Sequence, residues 1–398
     1  MAETLHIQAP GEATHAEAIY ALAAEEWDLD LADNCRQGRI HGSHYDWATA
    51  RIGLIGQEIV THVGVYALTL RIGTARVPTA GVNLVVTHPA HRGQRYMHGT
   101  LDATHAAMRA AGYSLSILCN ATDGYYPQFG YRAAWGETLY EVARRDLPGL
   151  PLDLELAPFT PGAEAARDAL FNAENATLTG TVLRPTYPST KTPGDAEGAS
   201  WSDAAGTLSG YIVYSYSAER GILWHEDSAG DPALRLGALR QAARQHECTT
   251  LRFPRLPPRS GLAQGLRQLA GGLEVDYRPT GGWMVKVIQL PALCAQLTSE
   301  WNRRLAGSAL AGWRGTLRIT LSDEVVTLGI ARSQVSVIAP RRTRHTIHAG
   351  PELAQLVLGT FAPDEITAAA GTELTGDAAA LAAVLFPAQE PQMGNADL

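Results

Sequence analysis

The chain has 398 residues, with 32 Lys+Arg against 40 Asp+Glu for a formal net charge of −8. Its 45% hydrophobic and 18% charged residues exclude a wholly disordered protein, and the length accommodates two to four domain cores. An acidic balance without a basic stripe argues against a dedicated nucleic-acid binder.

Residues 5–8 read as a strand and 14–26 as a helix, with Thr14 and Glu17 placed as a capping box. Strand-like runs follow at 51–55, 60–71 and 81–86, the last putting Val82, Leu84 and Val86 on one face. The turn Thr87-His88-Pro89-Ala90-His91-Arg92-Gly93 leads into a helix to about Ala111, whose buried stripe is Met97, Leu101, Thr104 and Met108. Gly112 suits the position just past its end. A strand at 114–119 and a short helix at 124–129 complete the segment. The Pro-rich stretch at 144–151 marks a first boundary, and 184–198 is a loop.

Beyond it the plan partly repeats: a hairpin at 209–217 and 221–225, a helix at 231–245 and a strand at 249–253. The strand-like run 283–288 precedes a second boundary near Pro291. The last segment differs, with short strands at 313–321, 325–328 and 334–338, then helices at 351–358, 363–370 and 377–385. The first two of these helices start with Pro at their first position. The expected domains are 1–146, 147–290 and 291–398, in an α/β to α+β layout.

The N-terminus lacks a basic stretch followed by an apolar one, and the longest apolar runs fall far short of the ~20 residues of a membrane span. Cys35, Cys119, Cys248 and Cys294 are scattered, with neither metal-ligand spacing nor a disulfide framework. These features predict a soluble cytoplasmic protein with no membrane partner. His88 and His91 have H-x-x-H spacing, as do His41 with His44 and His345 with His348, but none has a third ligand at diagnostic spacing, so no metal is expected.

The chemistry concentrates in 81–131. A strand entering a tight turn and then a helix makes an anion site, because unpaired N–H groups and the helix dipole converge there. Arg92 adds charge, and Gly93 lets the main chain approach a phosphate. Pro89-x-His91-Arg92-Gly93, about 30 residues ahead of Tyr126-x-x-Phe129-Gly130-Tyr131, resembles the GNAT N-acetyltransferase superfamily. Across its length, most clearly at 80–131 and in QLVLGTFAPDEITAAAGTELTGDAAALAAVLFP (355–387), the chain resembles the Eis-type (enhanced intracellular survival) branch.

That resemblance implies tandem GNAT mixed-sheet domains, the second degenerate, plus a C-terminal domain like sterol carrier proteins. It implies transfer of an acetyl group from acetyl-CoA directly to a primary amine of a small cationic or amino-containing acceptor. It also implies a homo-oligomer, a hexamer or trimer. The cofactor would lie against Leu84, Val85 and Val86, with a backbone N–H near Val85 or Val86 as oxyanion donor, and against Arg92, Gly93, Gln94, Arg95, Tyr96 and Met97. The family motif (Arg/Gln)-x-x-Gly-x-(Gly/Ala) is broken by Arg95 and Met97 at its small-residue positions. That departure motivates an alternative, a non-catalytic ligand-binding protein on a decayed acetyltransferase scaffold.

Tyr126 matches the family's general acid, and Tyr125 is its neighbour should the register differ by one. The family's base is the terminal carboxylate, here Leu398, which follows Asp397. Glu25, Glu26 and Asp28 around Trp27 offer an acidic mouth for a cationic amine. In the second domain the turn His225–Pro232 carries Asp227 and Asp231 where a pyrophosphate would sit, so no CoA binding is expected there.

Overall fold

Pro10 and Gly11 set the first helix in place. The Gly11 carbonyl accepts from the amides of Thr14 and His15 at 3.2 and 2.9 Å, so α1 (Glu12–Glu26) begins before Thr14. Thr14 and Glu17 therefore lie inside the helix and do not form its cap, a correction to the expected capping box. The structure, a computed structural model, describes residues 4–26, 44–120, 122–151, 154–158, 162–185, 197–369 and 371–394.

Strands β1 (His6–Gln8), β2 (Arg51–Ile55), β3 (Glu58–Ile72) and β4 (Ala75–Thr87) pair antiparallel in that order. β3 and β4 outrun their expected bounds, and in β3 both faces are covered. Val60, Val63, Val65, Tyr66, Leu68 and Leu70 are all buried, so the polar alternation that would have marked the strand is missing. Helix α2 (Tyr96–Ala110) follows and buries Met97, Leu101, Thr104 and Met108, the stripe read from the sequence. Gly112 (φ +86°) ends that helix as expected. Then come β5 (Leu115–Asn120), β6 (Arg132–Trp135) and β7 (Glu137–Ala143).

The middle of the chain supplies β8 (Ala157–Pro158), α3 (Glu164–Glu174), β9 (Glu197–Ser202), β10 (Leu208–Ser217), β11 (Ile222–Gly230), α4 (Pro232–Gln245), β12 (Thr250–Pro254), α5 (Gly261–Leu266), β13 (Gly271–Asp276) and β14 (Gly282–Val287). The sheets do not follow linear cuts at 146 and 290. The first has order β1-β2-β3-β4-β5-β14-β6 and the second β13-β7-β12-β11-β10-β9-β8. Thus β14 returns to the first sheet between β5 and β6, where Trp283 stacks on Trp135 at 5.5 Å, while β7 crosses into the second.

The expected turn at 225–232 is not one. β11 continues through it, paired with β10 as far as Gly210 opposite Gly230. Asp227 consequently lies half-buried in a strand, gripped by Arg184 at 2.7 and 3.2 Å and by the Tyr211 hydroxyl at 2.9 Å. Asp231 does cap α4, accepting from the amides of Ala233 and Leu234 at 2.9 and 3.0 Å.

Helix α6 (Leu290–Ala306) leads into a third sheet, β15 (Arg314–Leu321), β16 (Glu324–Ala331), β17 (Gln334–Ile338), β18 (Thr346–Ala349) and β19 (Glu373–Thr375), ordered β17-β16-β15-β18-β19. It is joined by α7 (Leu353–Leu358), α8 (Pro363–Ala369) and α9 (Ala378–Leu385). Pro351 stands before the cap residue Glu352 of α7 and is not at its first position. Leu293, Leu297 and Trp301 of α6 share one core cluster with Leu70 and Val77 of the first sheet and with Leu317 and Leu328 of the third. The tail then runs back across the molecule. Gln389 N donates to Gly359 O at 2.8 Å, and buried Gln392 meets Thr138 and Thr179 at 3.0 and 3.3 Å. No helix among the described residues is long and apolar enough to cross a membrane.

Candidate active site

β4 and β5 pair in parallel only where Thr79–Gly81 face Leu115–Ile117. Beyond Gly81 they part, and the β5-facing side of β4 loses its ladder partner. The divergence coincides with a bulge: His62 faces Val86 and Gly64 faces Asn83, so Leu84 and Val85 together oppose Val63. Leu84 sits at φ +48°. Its N–H donates to the Asn83 side chain at 2.7 Å, and its carbonyl accepts from His62 Nδ1 at 2.7 Å. Because a carbonyl only accepts, the His62 proton is on Nδ1, and Nε2 accepts from the Tyr45 hydroxyl at 2.7 Å. Burial lowers the His62 pKa to about 4, which keeps the ring neutral.

The parted strands open a cleft of about 770 Å³. Its walls are residues 82–87, the turn at 91–93, the start of α2, the end of β5, and Tyr125 with Tyr126. All the expected cofactor contacts except Gln94 line it: Leu84, Val85, Val86, Arg92, Gly93, Arg95, Tyr96 and Met97. Gln94, in the same turn, is not among the residues that line it.

Across residues 93–97 no amide N–H donates to another group among the described residues, whereas Arg92 N and His98 N on either side are bonded to Pro89 O and Arg95 O. Five successive free donors at a helix N-terminus form an anion cradle. Gly93 (φ +79°) has open space where a Cβ would be, and Arg95 caps α2 at φ +62°. Arg95 therefore adopts the left-handed backbone that a glycine would supply, with its side chain exposed. Met97 points the other way, into the core with Leu101 and Met108. Neither departure from the family motif fills the cradle.

Tyr126 opens a single-turn 3₁₀ helix (Tyr126–Phe129) closed by Gly130 at φ +84°. Its ring is buried against Tyr125 and Tyr131, at centroid distances of 5.1 and 5.8 Å, and its hydroxyl has no hydrogen-bond partner among the described residues. Burial raises the phenol above its ordinary range, so it stays protonated.

A polar chain supports this turn from below. Lys286 of β14 donates to Phe129 O at 2.6 Å and to His105 Nδ1 at 3.3 Å; His105 Nε2 meets the Tyr131 hydroxyl at 3.2 Å, which meets Ser116 Oγ at 2.7 Å. Burial, with Asp102 raising and Arg109 lowering, brings the Lys286 pKa to about 8. The sequence reading missed both Lys286 and His62. The one local hint was that Lys286 is one of two lysines in the whole chain, the other being Lys191.

Of the expected acidic mouth, Glu25 lies at the end of α1 with its carboxylate 3.7 Å from His88 Nε2. The Glu26 side chain, Asp28 and Leu398 lie outside the described residues. The described tail ends at Gly394, which lines a small pocket with Arg255. Arg255 pairs with Glu137 at 3.1 Å, and both act on the thiol of Cys119, which lines the main cleft and is raised chiefly by burial.

Residues 34–134 match the family model described as an acetyltransferase (GNAT) domain. Three solved structures share the fold over nearly the whole chain. A GCN5-related N-acetyltransferase from Anabaena variabilis is 15% identical, with 98% of this chain and 99% of that one covered at a TM-score of 0.77. One from Kribbella flavida is 18% identical, with 98% and 99% covered at 0.76. Eis1 from Mycobacterium abscessus is 15% identical, with 98% of each covered at 0.68. No curated protein sequence matches the chain.

Proposed function

From a GNAT acetyltransferase domain set in an Eis-like fold, we propose that the protein transfers an acetyl group from acetyl-CoA directly to a primary amine of a small cationic or amino-containing acceptor. The observation that carries this reading is one cleft that holds both the start of α2, where the amides of Gly93, Arg95, Tyr96 and Met97 have no hydrogen-bond acceptor among the described residues, and a protonated tyrosine hydroxyl with no partner among those residues. The amides of 93–97, with Arg92 beside them, hold the diphosphate. The parted edge of β4 takes the thioester arm, with an N–H near Val85 or Val86 facing the carbonyl oxygen.

The acceptor ammonium first loses a proton, and the free amine attacks the thioester carbon. The new N–C bond forms as the C–S bond breaks, the departing sulfur takes the Tyr126 proton, and the second proton that the nitrogen sheds on becoming an amide restores the phenol. Burial raises the phenol, and it also raises the basicity of a thiolate expelled into the same cleft, which favours proton transfer to the sulfur. The tail beyond Gly394, ending in Leu398, brings a carboxylate that attracts and deprotonates the cationic amine. The net charge of −8 favours such acceptors.

A thiol-release assay with acetyl-CoA and a panel of amines tests the reading. Turnover above buffer with at least one polyamine or amino-bearing acceptor is expected. No turnover, together with no acetyl-CoA binding by calorimetry, returns the chain to the ligand-binding alternative.

A further inference from the structure

Side chains from three elements far apart in the chain gather beside the phosphate turn. The end of α1 brings Glu25, the first residue of β3 brings Glu58, and the turn after β4 brings His88 and His91. His88 Nε2 lies 3.7 Å from Glu25 and 3.6 Å from Glu58, and His91 Nε2 lies 3.9 Å from Glu58. Glu58, His88 and His91 each place a ligand atom within 4.8 Å of the others.

We propose that this cluster is a site for a divalent transition-metal ion of the Zn²⁺ type. An ion held tetrahedrally at about 2.0–2.2 Å spaces its ligand atoms roughly 3.3–3.6 Å apart. The observed separations therefore close with small movements of side chains that are only partly buried. Two carboxylates converge on one imidazole, and neither meets a Lys or Arg among the described residues. That uncompensated negative charge is what a cation neutralises. The pair of imidazoles selects against Mg²⁺ and Ca²⁺, which favour all-oxygen shells.

Ligation through His88 Nε2 moves the ring proton to Nδ1 and opens one local contact, in which Ala90 N–H now points at Nδ1 at 3.2 Å. His88 and His91 show H-x-x-H spacing without a third partner nearby in sequence, so the chain alone predicted no metal. Glu58 supplies that partner only through the fold. Since His91 also lines the cleft, the ion ties the turn that carries the amide cradle to α1 and β3. The proposal stands independently of the acyltransfer reading.

Chelator-treated full-length protein, titrated with Zn²⁺ by calorimetry and with Co²⁺ by visible absorption, tests it. One ion per chain and a tetrahedral Co²⁺ band are expected, with affinity falling at least about tenfold in His91→Ala and in Glu58→Gln. The melting temperature without metal should be unchanged in both variants, because the side chains lie near the surface. Absence of saturable binding, or equal affinity in wild type, His91→Ala and Glu58→Gln, overturns the site.

Discussion

Arg95 holds a left-handed backbone that costs a non-glycine residue roughly 1 kcal/mol. Its exposed side chain leaves the amides at the helix start open. Arg95→Gly should therefore bind CoA with a Kd within about tenfold of wild type, the backbone relief offsetting the loss of a nearby charge. Calorimetry that finds binding only in the variant identifies a blocked cradle.

Tyr126 is the proposed proton donor. Tyr126→Phe should lower kcat by about 10²–10⁴ while CoA affinity holds, as expected of a group that acts only when sulfur departs. Because burial holds the phenol above its ordinary pKa of about 10, no fall in kcat up to that pH belongs to Tyr126. A wild-type alkaline limb that disappears in Tyr126→Phe would contradict this. Arg92, Gly93 and Tyr126 were legible in the sequence because each belongs to a contiguous motif. His62 and Lys286 were not, because nothing in their own neighbourhoods marks the bulge or the turn they support.

Among the elements, α6 shows how a helix from one segment stiffens another. Glu300 is fully buried and takes the Arg304 Nε at 2.7 Å, the Arg303 Nη2 at 2.6 Å, and the Thr74 hydroxyl at 2.7 Å in the β3–β4 connection. Burial opposes its charge, but these partners outweigh it and bring the carboxyl down to about 2. Glu300→Ala leaves Arg304 buried without its partner, and about 3–5 kcal/mol of stability should be lost in urea unfolding. A loss under about 1 kcal/mol would show that solvent reaches Arg304. The sequence revealed α2 and α4 well, through an apolar stripe and an Asp-Pro cap. It shortened β3, because a strand covered on both faces lacks alternation.

At the scale of the whole molecule, two buried histidines and the partly buried His105 govern acid stability. Burial lowers His62 and His225 to about 4, and burial with Lys286 lowers His105 to about 3. Each is neutral when folded but binds a proton near pH 6.5 when unfolded. Stability is therefore complete above 6.5 and falls as pH drops from there towards 4. Between pH 7 and 5 each contributes a loss of about 2 kcal/mol. Urea unfolding at the two pH values measures it, and His62→Asn should flatten the slope; an unchanged slope would show that His62 is solvated.

The tail is bound by the same tertiary logic. Gly180, at φ +94°, leaves room where a Cβ would stand 2.4 Å from the Gln392 backbone. Deleting Asp397 and Leu398 should cut kcat at least tenfold with the fold intact, if the tail supplies the base; unchanged turnover removes that role.

The chain alone disclosed the strand–turn–helix, the Tyr126 motif, the Asp231 cap and the mixed α/β class. All of these are written in neighbours or in short periodic patterns, where local backbone physics dominates. The fold alone revealed β14 inserted between β5 and β6, the His62 clamp on Leu84, the Lys286 support and the meeting of Glu58 with His88 and His91. Such contacts join residues tens to hundreds of positions apart, and burial, charge and close approach act on them only once the sheets have assembled.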